Sequence, residues 1–103
     1  MIRVTYDRKK LALTVSGHAG FDEVGRDIVC AAVTAIEYTL IAAMEGRRGF
    51  RALMPQKNEG EADVLSFSAR LGRRRARLLF DSAAGGINLI SEAYPENVRI
   101  TVI

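Results

Sequence analysis

An α/β fold of the α+β type, a two-layer sandwich with two helices against one mixed five-stranded sheet, is the architecture this sequence predicts. Three observations carry it: a pair of alternating segments at the start, two long segments with apolar residues three and four apart, and an alternating segment at the end. A second alternating pair lies between the two long segments, so the order reads ββαββαβ. At 103 residues and 49% hydrophobic content the chain suits one core, and residues 1–103 read as a single domain with no linker. The order of the strands within the sheet is not legible at this level.

IRVTY at 2–6 and LALTVS at 11–16 alternate with the period of two of a strand, and the charged stretch Asp7 to Lys10 between them suits a hairpin turn. In the second segment Leu11, Leu13 and Val15 point to one face, and Thr14, Ser16 and then His18 to the other. Gly17, Gly20 and Gly25 punctuate residues 17–26, which have no apolar period and read as a pliable loop. Asp27 is a good helix cap. Val29, Val33, Ile36, Leu40, Ala43 and Met44 then keep helical spacing from Ile28 to about Glu45, ahead of Gly46. At about 100° per residue, Cys30 falls on the flank of that stripe, in line with Thr34 and Glu37.

FRALM at 50–54 and DVLSFSAR at 63–70 read as a second hairpin, with Pro55 to Glu61 as its connection. From about Ala76 to Tyr94, Leu79, Ala83, Ile87, Ile90 and Tyr94 share one helical face. Gly85 and Gly86 in its interior either permit close packing or mark a kink. Pro95 stops the helix, and Val98, Ile100 and Val102 alternate in a last strand. Tyr38, Phe50 and Phe67 lie within these apolar patterns and read as core or dimer contacts.

Composition removes several classes of function. No apolar run reaches transmembrane length, and Asp7, Arg8, Lys9 and Lys10 stand where a signal peptide has its apolar segment, so the expectation is a soluble, cytoplasmic protein without membrane contact. One cysteine rules out an internal disulfide, and one cysteine with one histidine is too few for a four-ligand zinc site, so no metal or other cofactor is expected. The net charge is only +3, yet the arginines cluster, at Arg47, Arg48 and Arg51 and again at Arg70, Arg73, Arg74, Arg75 and Arg77. Charge of this kind is ordinarily a solvated surface; its functional alternative is a weak RNA contact through Arg73, Arg74, Arg75 and Arg77.

The chemistry concentrates on the lone histidine and the lone cysteine. Cysteine attacks as the thiolate, and Cys30, three residues beyond the cap Asp27, sits where unpaired backbone N–H groups and the helix dipole favour negative charge. A neighbouring imidazole takes the thiol proton and returns one to the leaving amine, and His18 is the only imidazole in the chain. A strand end and a helix start joined by a glycine-rich loop permit the two to meet. The backbone N–H groups around Val29 and Cys30 are candidates for the oxyanion donors. Asp27 has two readings, a helix cap, which is the commoner use, or a carboxylate that orients His18. By spacing alone a part-buried cysteine and a loop histidine that never meet is the plainer reading.

The string SGHAGFDEVGRDIVCAAVT at 16–34 resembles the signature of the ribosomal-processing cysteine protease family Prp, in which a GHA motif supplies a histidine and a DIVCAA motif a cysteine. SEAYPENVRI at 91–100 is similar to that family's C-terminal helix, YPE-like turn and final strand, while residues 47–75 match only in the order of elements. The resemblance implies that His18 is the catalytic histidine, Cys30 the nucleophile, and Gly17, Gly20 and Gly25 part of a loop that moves when substrate binds. It further implies removal of an N-terminal extension from a large-subunit ribosomal protein, cleavage after an aromatic or bulky apolar residue, and a homodimer. Thr34 stands where the family motif more often has serine.

Two other classes compete. A non-enzymatic ribosome-associated module, binding RNA or protein, would use the arginines at 70–77 and lose affinity steeply with salt, but no aromatic-rich recognition pattern accompanies them. A redox-sensing thiol would lack an internal resolving cysteine and ranks last.

Overall fold

Every alternating segment becomes a strand and both long periodic segments become helices. The computed structural model describes residues 1–23, 26–55 and 61–103. In chain order the elements are β1 (Ile2–Asp7), β2 (Ala12–Ser16), α1 (Ile28–Met44), β3 (Phe50–Leu53), β4 (Asp63–Phe67), α2 (Arg73–Ala93) and β5 (Val98–Val102). The five strands form one sheet in the order β3-β4-β2-β1-β5. All neighbours are antiparallel except β1 and β5, which run parallel in the register Ile2↔Val98 and Val4↔Ile100. The sheet is therefore mixed, as the element order implies, because the return from α2 to a strand beside β1 is a crossover and not a hairpin.

The period of two decides which face is covered. Ile2, Val4 and Tyr6 are buried while Arg3 and Thr5 between them are exposed. Leu13 and Val15 on β2, and Leu65 and Phe67 on β4, continue the buried face, which joins Val29, Val33 and Leu40 of α1 and Phe80 and Ile87 of α2 in one cluster. Complete burial of Phe80 and Ile87 contributes on the order of 2 kcal/mol each. Phe50 packs against this cluster from its edge, whereas Tyr38 lies outside it, 57% exposed.

Local differences from the sequence reading have local causes. Leu11 belongs to the turn and not to β2: its φ is 51°, a left-handed value that costs roughly 1–2 kcal/mol in a residue with a side chain, and the fully buried side chain offsets it. Asp7 closes the same turn by accepting at Oδ1 from the backbone N–H groups of Lys9 and Lys10, each at 3.1 Å. β4 ends at Phe67, three residues short of Arg70. α2 starts at Arg73, three residues earlier than the apolar stripe alone suggests, because Gly72 adopts φ 77° and launches the helix. Of the two glycine readings in α2, close packing is found at Gly86, while Gly85 is exposed and faces open space. The helix runs unbroken through both, and a Cβ on Gly86 would stand 3.2 Å from Cδ1 of Ile36 on α1.

Glu37 departs most from expectation. It lies in the buried stripe of α1, with Val33 and Leu40, and not on the solvent flank. Asp63 heads β4 on the same face as Leu65 and Phe67, so two carboxyl groups meet under the helix. Burial, then the charge and hydrogen bond of Asp63, push the Glu37 carboxyl up from 4.5 to about 8, and its Oε1 has no hydrogen-bond partner among the described residues. The folded protein thus holds a proton that the unfolded chain releases above pH 4.5. This contribution is complete below that pH and is lost as pH rises toward 8. Glu37→Gln, whose amide donates to Asp63 without titrating, should be more stable than the parent at pH 9 by a few kcal/mol, at most about 5, and differ from it by less than about 1 kcal/mol at pH 5. Thermal denaturation at the two pH values checks this.

Candidate active site

Four chain segments end at the same edge of the sandwich: the start of β1, the end of β2, the start of α1 and the turn before β5. β2 stops at Ser16 because Gly17 takes φ 84°, and a Cβ there would lie 2.3 Å from the carbonyl oxygen of Met1. Only glycine fits this crossing. The turn breaks the alternation of β2, so the loop and not the strand decides where His18 and Ala19 go. His18 is exposed, and Ala19 is buried.

The loop reaches the cysteine through Ala19. Its backbone N–H donates to Sγ of Cys30 at 3.3 Å, and its carbonyl accepts from Nδ2 of Asn97 at 2.9 Å. One residue is held from both sides, by the nucleophile candidate and by the turn ahead of β5. Asn97 is itself pinned, because its N–H donates to Tyr94 and its carbonyl accepts from Ile2. Phe21 and Tyr94 add an edge-to-face ring contact with centroids 5.4 Å apart. The N–H that meets the sulfur belongs to the peptide between His18 and Ala19, so the backbone of His18 borders Cys30. The imidazole itself makes no hydrogen bond among the described residues.

Asp27 does more than cap the helix, and its hydrogen bonds among the described residues go to backbone N–H groups and not to His18. Its Oδ1 accepts from the N–H groups of Val29 and Cys30, both at 3.0 Å, and its Oδ2 accepts from Phe21 at 3.0 Å and Asp22 at 3.4 Å. The carboxylate therefore ties the loop to the helix with backbone contacts alone. Burial by itself would raise its pKa, but the donors, Cys30 first and then Phe21, Asp22 and Val29, hold the carboxyl below its ordinary 3.8. The N–H groups of Val29 and Cys30 are thereby committed to Asp27 and are not open oxyanion donors, contrary to the sequence expectation. The negative carboxylate also offsets the positive end of α1, and the hydrogen bond that the sulfur accepts among the described residues comes from Ala19.

Cys30 occupies the third position of α1, half-buried against the core, with Thr34 one turn further on. Gly20, at φ 66°, faces open space; Gly25 lies outside the described residues. Asn97 was not singled out from the sequence. Its signal was present, a polar amide in a turn just before a strand that must pair, but nothing local says which loop the amide reaches.

A sulfur at a helix start and a glycine-bounded histidine loop laid against it are the parts a thiol hydrolase needs. Comparison with known proteins makes the class specific. The sequence profile of the family described as Cysteine protease Prp matches residues 1–99. The ribosomal processing cysteine protease Prp of Bacillus subtilis (strain 168) is 32% identical over 103 residues, 97% of this chain and 92% of the relative. Its namesake from Staphylococcus aureus (strain NCTC 8325) is 28% identical over 100 residues, 96% of this chain and 92% of that one. The crystal structure of an essential ribosomal processing protease Prp from S. aureus, in complex with a covalently linked product peptide, superposes with a TM-score of 0.81 at 26% identity, covering all of both chains. This chain belongs to the Prp family of cysteine proteases.

Proposed function

We propose that this protein is the cytoplasmic endopeptidase that removes the N-terminal extension of a large-subunit ribosomal protein, with Cys30 as nucleophile and His18 as general base and then acid. The observation that carries this reading is the Ala19 N–H to Cys30 Sγ contact at 3.3 Å, which brings the histidine loop onto the only sulfur nucleophile. His18 takes the thiol proton as Sγ attacks the scissile carbonyl. Collapse of the tetrahedral species breaks the C–N bond, and the imidazolium gives its proton to the departing amine. Water, deprotonated by His18, then cleaves the thioester and restores the thiol. With Val29 and Cys30 committed to Asp27, the Ala19 N–H is the backbone donor within reach of the developing oxyanion.

Support comes from the curated relatives, which are named ribosomal processing proteases, and from the S. aureus structure, whose peptide is covalently linked. The homodimer of the family is part of the same proposal, and Tyr38, exposed on α1, is available to such a contact. A cytoplasmic setting agrees with the finding that no helix among the described residues is long and apolar enough to cross a membrane.

The experiment is to incubate the protein with a large-subunit ribosomal protein that carries an N-terminal extension and to read intact masses. The expected result is one released peptide and one shortened protein, with the same substrate lacking its extension left uncut. An untouched extension, under conditions where a thiol reagent labels Cys30, refutes the substrate assignment.

A further inference from the structure

The run of arginines at 70–77 separates into two structural populations. Arg73 and Arg77, one turn apart on α2, turn back onto the hairpin. Arg77 Nη1 donates to the carbonyl of Arg8 at 3.0 Å, and Arg73 donates to the carbonyls of Lys9 and Phe67. Both are half-buried and tie α2 to the sheet, so half of the four-arginine contact set expected from sequence is already engaged. Arg70, Arg74 and Arg75 point outward and are exposed, and Arg47, past the end of α1, joins them. Together with Arg73 they make five of the seven residues lining an open depression of about 510 Å³.

Among the described residues no carboxylate pairs with these arginines. Arg8 with Asp81 is the one ion pair among the described residues, and it lies elsewhere. The local electrostatics are also adverse: α2 begins at Gly72 without a side-chain cap, has no acidic residue in its first turn, and carries Arg73, Arg74 and Arg75 there. Three guanidinium groups are thus held at the positive end of a helix dipole, a placement that an isolated helix disfavours. A bound anion would relieve both the repulsion and the unfilled N–H groups.

We propose that this depression binds the phosphate backbone of RNA, with Arg47, Arg70, Arg74 and Arg75 as the contacting side chains. Its cations are arginines, whose planar fork matches phosphate oxygens, and no lysine lines it among the described residues. Among the described residues the only apolar side chain at the depression is Leu71, 89% exposed, and none is aromatic. The surface therefore lacks both the platform that reads bases and the pocket that anchors a protein side chain. Recognition is of backbone charge, without sequence preference. Arg47 and Cys30 lie near opposite ends of α1, whose 17 residues span about 25 Å, so RNA at one end leaves the candidate active site free for a polypeptide. The inference stands independently of the protease reading.

Binding of a labelled single-stranded RNA of about 20 nucleotides and mixed sequence, followed by anisotropy across a salt series, tests it. The parent should bind with log affinity falling linearly against log salt. The double variant Arg74→Glu with Arg75→Glu should lower the steepness of that line by about 1.4, and the affinity by roughly tenfold or more, without changing peptide cleavage. Arg3→Glu with Arg99→Glu, two exposed arginines paired on the uncovered sheet face, makes the same change in net charge and should bind RNA like the parent. Equal loss from both pairs would mean net charge alone and overturn the site. Tighter binding of an oligoglutamate peptide than of the RNA would overturn it in favour of an acidic protein, and absence of RNA binding at about 0.05 M salt would overturn it outright.

Discussion

Cys30→Ala should abolish peptide cleavage, lowering kcat/KM by at least about 10³-fold, and His18→Ala should do the same. Two groups that act as one unit fail together, because thiolate formation needs the base and the base has no other function without the sulfur. The two substitutions should leave stability nearly untouched for different reasons. His18 is exposed and its side chain has no hydrogen-bond partner among the described residues, while alanine keeps most of the small volume that Cys30 presents to the core. Cleavage of a fluorogenic peptide spanning the junction, measured beside thermal denaturation, separates lost chemistry from lost fold. Cleavage retained by either variant removes that residue from the mechanism.

Asp27→Ala should be the most damaging substitution of the loop for stability. Four backbone N–H groups lose their acceptor at once, one pair at the helix start and one in the loop. A lost cap costs about 1 kcal/mol and the charged contacts to the loop raise the total to about 3 kcal/mol, which lowers Tm by roughly 15 °C in a domain of this size. Asp27→Asn divides the two functions. Its amide oxygen still caps Val29 and Cys30, but its NH2 group cannot accept from Phe21 and Asp22, so stability should fall by about 2 kcal/mol, the loop share of the loss, while kcat/KM drops because the loop that carries His18 and Ala19 loses its tie to α1. Parent-like cleavage by Asp27→Asn would show that the loop needs no clamp. The pH dependence has a definite sign. The folded carboxyl is held below its ordinary 3.8, so its contribution is complete above that pH and is lost as acid protonates the group through the lowered value.

How far the sequence alone reaches differs between elements. The strands and helices were legible because apolar residues repeat at two or at three and four, and burial follows those periods at Ile2, Val4 and Tyr6 and at Val29, Val33 and Leu40. The limits of elements were less so, since Leu11 and Gly72 are placed by backbone conformations that hydrophobicity does not report. Glu37 was misplaced because a carboxyl next to a second carboxyl can be buried as the neutral acid, and its partner Asp63 lies 26 residues away along the chain.

The candidate site shows the same division. His18, Cys30 and the cap Asp27 were visible as residue types at chemically meaningful positions, the cap because its N–H partners are two and three residues ahead. The grip of Asp27 on Phe21 and Asp22, and that of Asn97 on Ala19, were not, because a loop without a hydrophobic period carries no sign of which backbone groups it turns inward.

What the sequence determined by itself is local and periodic: seven elements in order, the covered face of each strand, a cysteine in the first turn of a helix and a glycine loop bearing one histidine. What only the tertiary structure decided is every relation between segments distant along the chain. It set β5 parallel beside β1, which carries Asn97 to the loop from 78 residues away, and it divided the arginine run into anchors and free charges. The physical reason is that periodicity records which side of an element avoids water, whereas hydrogen bonds and charges are satisfied by whichever partner the packed chain brings within about 3 Å.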